Sequence, residues 1–150
     1  MKKQKKGKGK TPSIQYGALP YREIKSGVQF LLVTSRETRR WIIPKGWPQR
    51  GMPPHRAAAL EAFEEAGVFG KIGKKTVGSY WYDKAVEPGF AVRCKVRVFP
   101  LNVTRQFKTW PKKRQRRTQW YSPPQASRRV REAQLREIIR TFAKQRKGEG

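Results

Sequence analysis

Acidic residues are scarce in this chain: 10 of its 150 residues are Asp or Glu, against 36 Lys and Arg, and the formal net charge is +26 at pH 7. A single cysteine, Cys94, excludes an intrachain disulfide and a zinc site built from several cysteines. No apolar run is long enough to span a membrane, and no apolar segment follows the lysine-rich start as it would in a signal peptide. We therefore expect a cytoplasmic protein with no membrane partner.

The length and the charge distribution predict one domain with basic ends. A chain of 150 residues is long enough for a single hydrophobic core. Six lysines and no apolar residue lie between positions 2 and 10, so residues 1–12 are predicted to form a disordered basic tail. Residues 146–150 are predicted to be a second, flexible tail. The single domain is predicted to cover residues 13–145.

The apolar pattern predicts a sheet that is closed by a helix. Residues 131–144 carry apolar side chains at helical spacing, which predicts an amphipathic helix packed on the sheet. A basic loop is predicted at 111–117. In the aromatic group Tyr80, Trp81 and Tyr82, a candidate for stacking on a base or sugar, alternation places Trp81 on the opposite face from the two tyrosines. Strands are predicted at 14–22, 28–34, 41–44, 76–84, 90–98, 103–110 and 117–121.

Three of the few acidic residues fall within five positions: Glu61, Glu64 and Glu65. Spacings of three and four place them on one face of a helix, where like charges repel. A divalent cation relieves that repulsion, because Mg²⁺ prefers hard oxygen ligands. An acidic helix face in solvent is the alternative and the usual fate of glutamates. A short apolar strand and a turn-rich loop precede this helix and Gly67 ends it, which favours the metal site.

Residues 46–68 resemble the signature of the Nudix hydrolases, in which a Gly and a Glu precede the run Arg-Glu-apolar-x-Glu-Glu-x-Gly-apolar. Met52 and Leu60 stand where the family has its first Glu and its Arg. Because both charged residues are replaced by apolar ones, neither replacement leaves an unpaired charge. We therefore expect the replacements to alter the local packing and not the activity. The surrounding sequence is similar to the diphosphoinositol polyphosphate phosphohydrolase branch. The matching positions are Gly46, Glu61, Glu64, Glu65, Gly67 and Val68.

This resemblance implies an α/β fold, a Nudix-type α/β/α sandwich with a mixed β-sheet between helices. It also implies an enzyme that hydrolyses phosphoanhydride bonds with Mg²⁺ or Mn²⁺. Glu61, Glu65 and the backbone carbonyl of Lys45 would be metal ligands. Glu64 would orient or deprotonate the attacking water and also contact a metal, although the division of roles between Glu61 and Glu64 stays open.

The basic residues around this predicted site indicate a dense polyanion as substrate. An inositol pyrophosphate or a dinucleoside polyphosphate is the leading choice. The alternatives are a Nudix-fold RNA-binding protein with weak or no catalysis and an RNA 5′-pyrophosphohydrolase, because the excess charge also suits non-specific RNA binding. The oligomeric state stays open. The residues predicted to bind the substrate are Arg36, Arg39, Arg40, Lys45 and Lys84. For each of them the alternative is an ordinary cation exposed to solvent.

Overall fold

An eight-stranded mixed sheet forms the centre of the fold. The computed structural model describes residues 13–149, so the basic tail predicted at 1–12 lies outside the described residues. The strands are β1 (Ser13–Ile24), β2 (Gly27–Thr34), β3 (Trp41–Ile42), β4 (Lys45–Gly46), β5 (Val68–Ile72), β6 (Gly78–Glu87), β7 (Phe90–Gln106) and β8 (Thr118–Tyr121). The helices are α1 (Pro54–Ala66), α2 (Pro123–Arg129) and α3 (Ala133–Glu149), and Lys113–Gln115 forms a 3₁₀ turn.

The two central strands, β1 and β7, run parallel, and every other pairing in the sheet is antiparallel. The main path is β3-β2-β1-β7-β5, with β4 on β1, β6 on β7 and β8 on β2. A parallel pair requires a crossover connection, and the chain between β1 and β7 includes α1. The predicted mixed sheet is confirmed.

Helices cover both faces of the sheet. On one face, α3 packs Leu135, Ile139 and Phe142, and α2 packs Ala126, against strand residues that include Phe30 and Val98. On the other face, α1 packs its alanines against Leu31, Val33 and Phe99. The predicted α/β/α sandwich is therefore confirmed. Within residues 13–149, no helix has the length and the apolar character that crossing a membrane requires.

β7 corrects the prediction of separate strands at 90–98 and 103–110, because it is one strand of 17 residues. Pro100 lies in its interior, where a missing N–H normally interrupts a ladder. Here β6 pairs with β7 up to Val98, and β5 begins its pairing at Leu101. On the edge of β7 that pairs with β5 and β6, Pro100 therefore lies between the two partner strands. The strand continues there without losing a ladder hydrogen bond.

Three elements, β4, β5 and α2, were not predicted, and several boundaries differ. β5 follows α1 directly, and α2 begins with a capping box in which the Ser122 and Gln125 side chains accept from each other's backbone N–H. The closing helix α3 continues to Glu149, beyond the domain boundary that was placed at residue 145. Its amphipathic character is confirmed, because Leu135, Ile139 and Phe142 are buried.

α1 lies close to the sheet because small side chains face it. Ala58, Ala62 and Ala66 are fully buried against the strands. The helix begins with Pro54, whose fixed φ suits the first turn. It ends at Gly67, which adopts φ 69° and donates its N–H to the Phe63 carbonyl. Trp110 packs over Gly67, so a Cβ at this position would meet the indole Cε3 at 2.3 Å.

The Gly67→Ala substitution is expected to destabilise the protein by about 2–4 kcal/mol. Positive φ costs an alanine roughly 1 kcal/mol or more, and the overlap with Trp110 adds about 1–3 kcal/mol. Gly51→Ala is the matched control, because Gly51 has φ 72° but no atom within 4 Å of its Cβ position. Urea unfolding measures both variants. Equal losses of stability would show that Trp110 does not restrict this site.

Candidate functional site

Two of the three clustered glutamates on α1 are buried. Glu61 and Glu65 expose 7% and 4% of their surface, whereas Glu64 is partly exposed. Burial raises the pKa of Glu61 to about 8, and a hydrogen bond with Glu65 and the charges of Glu65 and Glu64 act in the same direction. The nearby Lys112 opposes this shift. The helix therefore holds two carboxyl groups side by side, in a position that disfavours the ionisation of Glu61.

Gly46 on β4 leaves the space that the Glu61 carboxylate fills. A Cβ added to Gly46 would lie 2.2 Å from Oε2 and 2.7 Å from Oε1 of Glu61. β4 is held in place by pairing Lys45 and Gly46 with Gly17 and Tyr16 of β1. The absence of a side chain at Gly46 thus lets α1 bring its carboxylate against the backbone next to the Lys45 carbonyl.

A basic segment after β7 supplies a cation to this pair. Arg116 Nη2 lies 3.8 Å from Glu65 Oε2, and the two side chains are 12% and 5% exposed. The Arg116 guanidinium also donates through Nη1 to the Thr34 carbonyl at 3.1 Å. The segment itself is tied to α1, because the Lys112 N–H donates to the Glu64 carbonyl at 3.0 Å.

The donors at this site suit a divalent cation that keeps part of its hydration. Among the described residues 13–149, no group of three or more His, Cys, Asp or Glu side chains is placed to hold a metal ion by itself. Glu61 and Glu65 offer two buried carboxylates, and Glu65 Oε1 has no hydrogen-bond partner in the structure. Mg²⁺ typically binds one or two carboxylates and completes its octahedron with waters and substrate oxygens. The residues present therefore fit such an ion.

A cleft of about 420 Å³ opens beside these carboxylates. Lys45 and Arg116 connect the two features, because both line the cleft and both interact electrostatically with Glu65. Two acidic residues, Glu37 and Asp83, also line it, so cations outnumber acids three to one. The cationic residues of the lining are Arg36, Arg40, Lys45, Lys84, Arg116 and Arg131.

The structure brings four of the five predicted substrate-binding residues into this cleft. Arg36, Lys45 and Lys84 line it with their cationic side chains. Arg40 also lines it, but its guanidinium is paired with Glu132 at 2.9 Å, which ties the loop between β2 and β3 to the start of α3. Arg39 is exposed outside the lining and adopts φ 55°, because its N–H closes a turn onto the Ser35 carbonyl.

Lys45 occupies an unusual environment for a lysine. Burial lowers the pKa of its ammonium group to about 8, and the charges of Lys84 and Arg116 act in the same direction while Glu65 opposes them. The ammonium lies 4.8 Å from the centre of the Tyr82 ring. The Tyr82 hydroxyl in turn donates to Gln15 Oε1 at 2.6 Å. An incoming phosphate would therefore meet a cation that is poorly hydrated and fixed in position.

Sequence reasoning missed two residues of this site, Arg116 and Arg131. Arg116 and Arg131 lie in basic runs where nothing distinguishes one arginine from its neighbours, and only the fold turns them into the cleft. Tyr82 belonged to the predicted aromatic group, and its face is confirmed: Tyr80 is buried in the core with 1% exposure, Tyr82 lines the cleft, and Trp81 lies on the opposite face.

The Gly46→Ala substitution is expected to weaken Mn²⁺ binding about 10- to 100-fold, as outer-sphere changes at metal sites typically do. The added methyl group would displace the Glu61 carboxylate. Titration of Mn²⁺ followed by electron paramagnetic resonance measures the affinity. The control is a double-mutant cycle with Glu61→Gln, in which Gly46→Ala should cause little further loss. An undiminished loss in that background would contradict this role of Gly46.

Comparison with curated proteins finds relatives that match most of this chain. No family model matches it. Nudix hydrolase 12, mitochondrial, of Arabidopsis thaliana is 31% identical over 126 residues, which cover 73% of this chain and 62% of that protein. Diphosphoinositol polyphosphate phosphohydrolase 3-beta of Bos taurus is 41% identical over 56 residues, which cover 37% of this chain and 34% of that protein.

A solved structure has the same fold as this chain. The binary complex of a C. elegans Ap4A hydrolase superposes with a TM-score of 0.70 at 22% identity, covering 91% of this chain and 98% of that one. The chain spans 62–64% of the length of the first three plant relatives, Nudix hydrolases 12, 21 and 4 of Arabidopsis thaliana. The residues matched over most of this chain and the shared fold lead to one conclusion: the chain belongs to the Nudix hydrolase family.

Proposed function

We propose that this chain hydrolyses a phosphoanhydride bond in a highly phosphorylated small molecule, with Mg²⁺ or Mn²⁺ as cofactor. The observation that carries the proposal is the cationic cleft of about 420 Å³ beside the buried Glu61 and Glu65. Phosphoanhydride hydrolysis requires that negative charge on the substrate be neutralised and that water become a better nucleophile. The cleft and the carboxylates together provide for both requirements.

In this proposal Glu61, Glu65 and the Lys45 carbonyl hold the cation. Such an ion neutralises phosphate oxygens and makes water more acidic. Burial, together with the neighbouring Glu65, raises the pKa of Glu61 to about 8. This supports the assignment, because a buried pair of carboxyl groups calls for either a proton or a cation. The Arg116 guanidinium balances the negative charge of Glu65 on the side that faces the basic segment after β7.

Glu64 is the candidate general base. It lies on the same helix, one turn from Glu61, and it is partly exposed, whereas Glu61 and Glu65 are buried. An exposed carboxylate remains accessible to water in the way that a proton acceptor must be. Its backbone is fixed, since the Glu64 carbonyl accepts from the Lys112 N–H. We therefore assign Glu64 to orienting and deprotonating the attacking water.

The cleft cations bind and orient the remaining phosphates. Arg36, Lys45, Lys84 and Arg131 come from four separate segments and line one cavity, so they can contact a substrate that carries phosphates in several directions. An inositol pyrophosphate has this distribution of charge, and the similarity to diphosphoinositol polyphosphate phosphohydrolase 3-beta favours it. A dinucleoside polyphosphate is the second choice, with Tyr82 available as a stacking surface for a base.

The proposal predicts metal-dependent phosphate release that requires Glu64. A panel of an inositol pyrophosphate, diadenosine polyphosphates, nucleoside triphosphates and 5′-triphosphorylated RNA is assayed with Mg²⁺ or Mn²⁺. Glu64→Gln should lower kcat by about 10²- to 10⁴-fold, the usual contribution of a general base. Glu137→Gln is the matched control, because Glu137 is an exposed glutamate on α3, on the far side of the sheet.

The controls separate loss of the base from loss of the fold. Both variants should retain the wild-type unfolding midpoint and the wild-type Mn²⁺ affinity within a few fold. Turnover that is unchanged in Glu64→Gln would contradict the role of Glu64. No turnover of any substrate by the wild-type protein with bound metal would contradict the proposed function itself.

Removal of one cleft cation is expected to act on substrate binding. Lys84→Gln should raise KM about tenfold or more with a smaller change in kcat, because a charge-assisted hydrogen bond contributes about 1.5–3 kcal/mol. Lys71→Gln is the control, since Lys71 is an exposed lysine on β5 outside the cleft. Steady-state kinetics on the active substrate measures both. An equal KM for the two variants would exclude Lys84 from substrate binding.

A further inference from the structure

The sheet presents a second basic surface that the cleft does not include. The basic-aromatic face consists of Tyr16 on β1, Trp81 on β6, and Arg93, Lys95 and Arg97 on β7. The register pairs Trp81 with Lys95 and Tyr16 with Arg97, so their side chains lie together on one face. Tyr82 lies on the other face of β6 and lines the cleft. The two surfaces are therefore separated by the sheet.

The cations of this face lie against aromatic rings. The Arg93 guanidinium lies 5.2 Å from the centre of the Trp81 ring, and Lys95 Nζ lies 5.9 Å from it. Arg97 is 5.9 Å from the Tyr16 ring. Arg93 also forms an exposed ion pair with Asp83 at 3.2 Å. Among the described residues 13–149, Lys95 and Arg97 have no carboxylate partner, so their charge remains available to an external anion.

The spacing of the cations forms a row. Residues at every second position along a strand lie about 6.5–7 Å apart on the same face, so Arg93, Lys95 and Arg97 follow one line along β7. α1 covers the same face farther along, at Ala18 and Phe99, but it does not cover this row. All five residues of the basic-aromatic face remain partly or fully exposed.

β1 begins beside this row, and a lysine-rich segment precedes β1 in the sequence. Six lysines lie between residues 2 and 10, and β1 begins at Ser13. Ser13 pairs with Cys94, which lies between Arg93 and Lys95 in sequence. β1 therefore begins beside the row, and the six lysines precede it in the sequence.

We propose that the basic-aromatic face binds single-stranded nucleic acid, with Lys95 and Arg97 on backbone phosphates and Trp81 stacked on an unpaired base. A row of cations interleaved with aromatic rings is the arrangement by which proteins bind single strands, since every base offers a flat ring and every nucleotide a phosphate. The net charge of +26 supports the choice of a polyanion over an apolar partner. This activity goes beyond the proposed hydrolysis and does not depend on it.

The test uses fluorescence anisotropy of a labelled oligouridylate with the full-length protein, at salt concentrations from about 50 to 200 mM. Lys95→Gln/Arg97→Gln should weaken binding and reduce the slope of log affinity against log salt by about 1.4, the value for two lost contacts to a single strand. Trp81→Ala should weaken binding roughly 5- to 150-fold. Trp81→Phe should retain most of the affinity, because phenylalanine preserves a stacking ring.

The matched control removes the same charge elsewhere. Arg128→Gln/Lys144→Gln alters two exposed cations on α2 and α3, on the opposite side of the sheet. The controls should bind like the wild type, and all variants should keep the wild-type unfolding midpoint and phosphate-release activity. An equal loss in the control pair would overturn the proposal, because it would show attraction to the whole molecule. Unchanged affinity in Trp81→Ala would overturn it as well.

Comparison of ligands identifies what the face recognises. Binding to oligouridylate and oligodeoxythymidylate with equal affinity supports recognition of any single strand, and tighter binding to the former identifies RNA. Equal affinity for a duplex overturns the proposal, because paired bases cannot stack on Trp81. Capture of phosphatidylserine vesicles without binding of either oligonucleotide also overturns it, since the face would then recognise an anionic membrane.

Discussion

The rest of the site depends on the burial of two carboxyl groups side by side on α1. Glu61 and Glu65 are almost fully buried, and ionised carboxylates in such a position are costly unless they are paired or bind a cation. The backbone makes room for them, since Gly46 leaves the space that the Glu61 carboxylate fills. α1 itself can approach β4 only because alanines face the sheet. Gly46 and the alanines of α1 are thus what the position of the two carboxylates requires.

The basic residues divide into groups with different physical tasks. Arg116 and Arg40 are paired with Glu65 and Glu132, so they fix loops to helices. Lys45 and Lys84 face the open cleft with no such ion pair among the described residues, and burial lowers the pKa of Lys45 to about 8. The cations of β7 lie on the opposite face against aromatic rings. The net positive charge of the chain thus includes cations that fix loops to helices, cations that line the cleft and cations on the basic-aromatic face.

The resemblance to the family signature implied the sandwich, and helical spacing predicted that the three glutamates share one helix face, because both depend on residues that are close in the sequence. They did not predict that strand pairing continues through Pro100, because that depends on where β5 and β6 end along β7. They also missed Arg116 and Arg131. A basic run contains many arginines with equal claims, and only the long-range packing of residues 110–117 on α1 selects one of them.

Met52 and Leu60 stand where the signature has its first Glu and its Arg, and α1 is held by contacts at its C-terminal end. The Lys112 N–H donates to the Glu64 carbonyl, and Arg116 pairs with Glu65. Trp110 covers Gly67 where the helix ends. These contacts all come from the segment after β7, which also supplies a cation to the cleft. One segment thus holds α1 in place and lines the cleft, so a substitution in this segment is expected to affect both the carboxylates and the cleft.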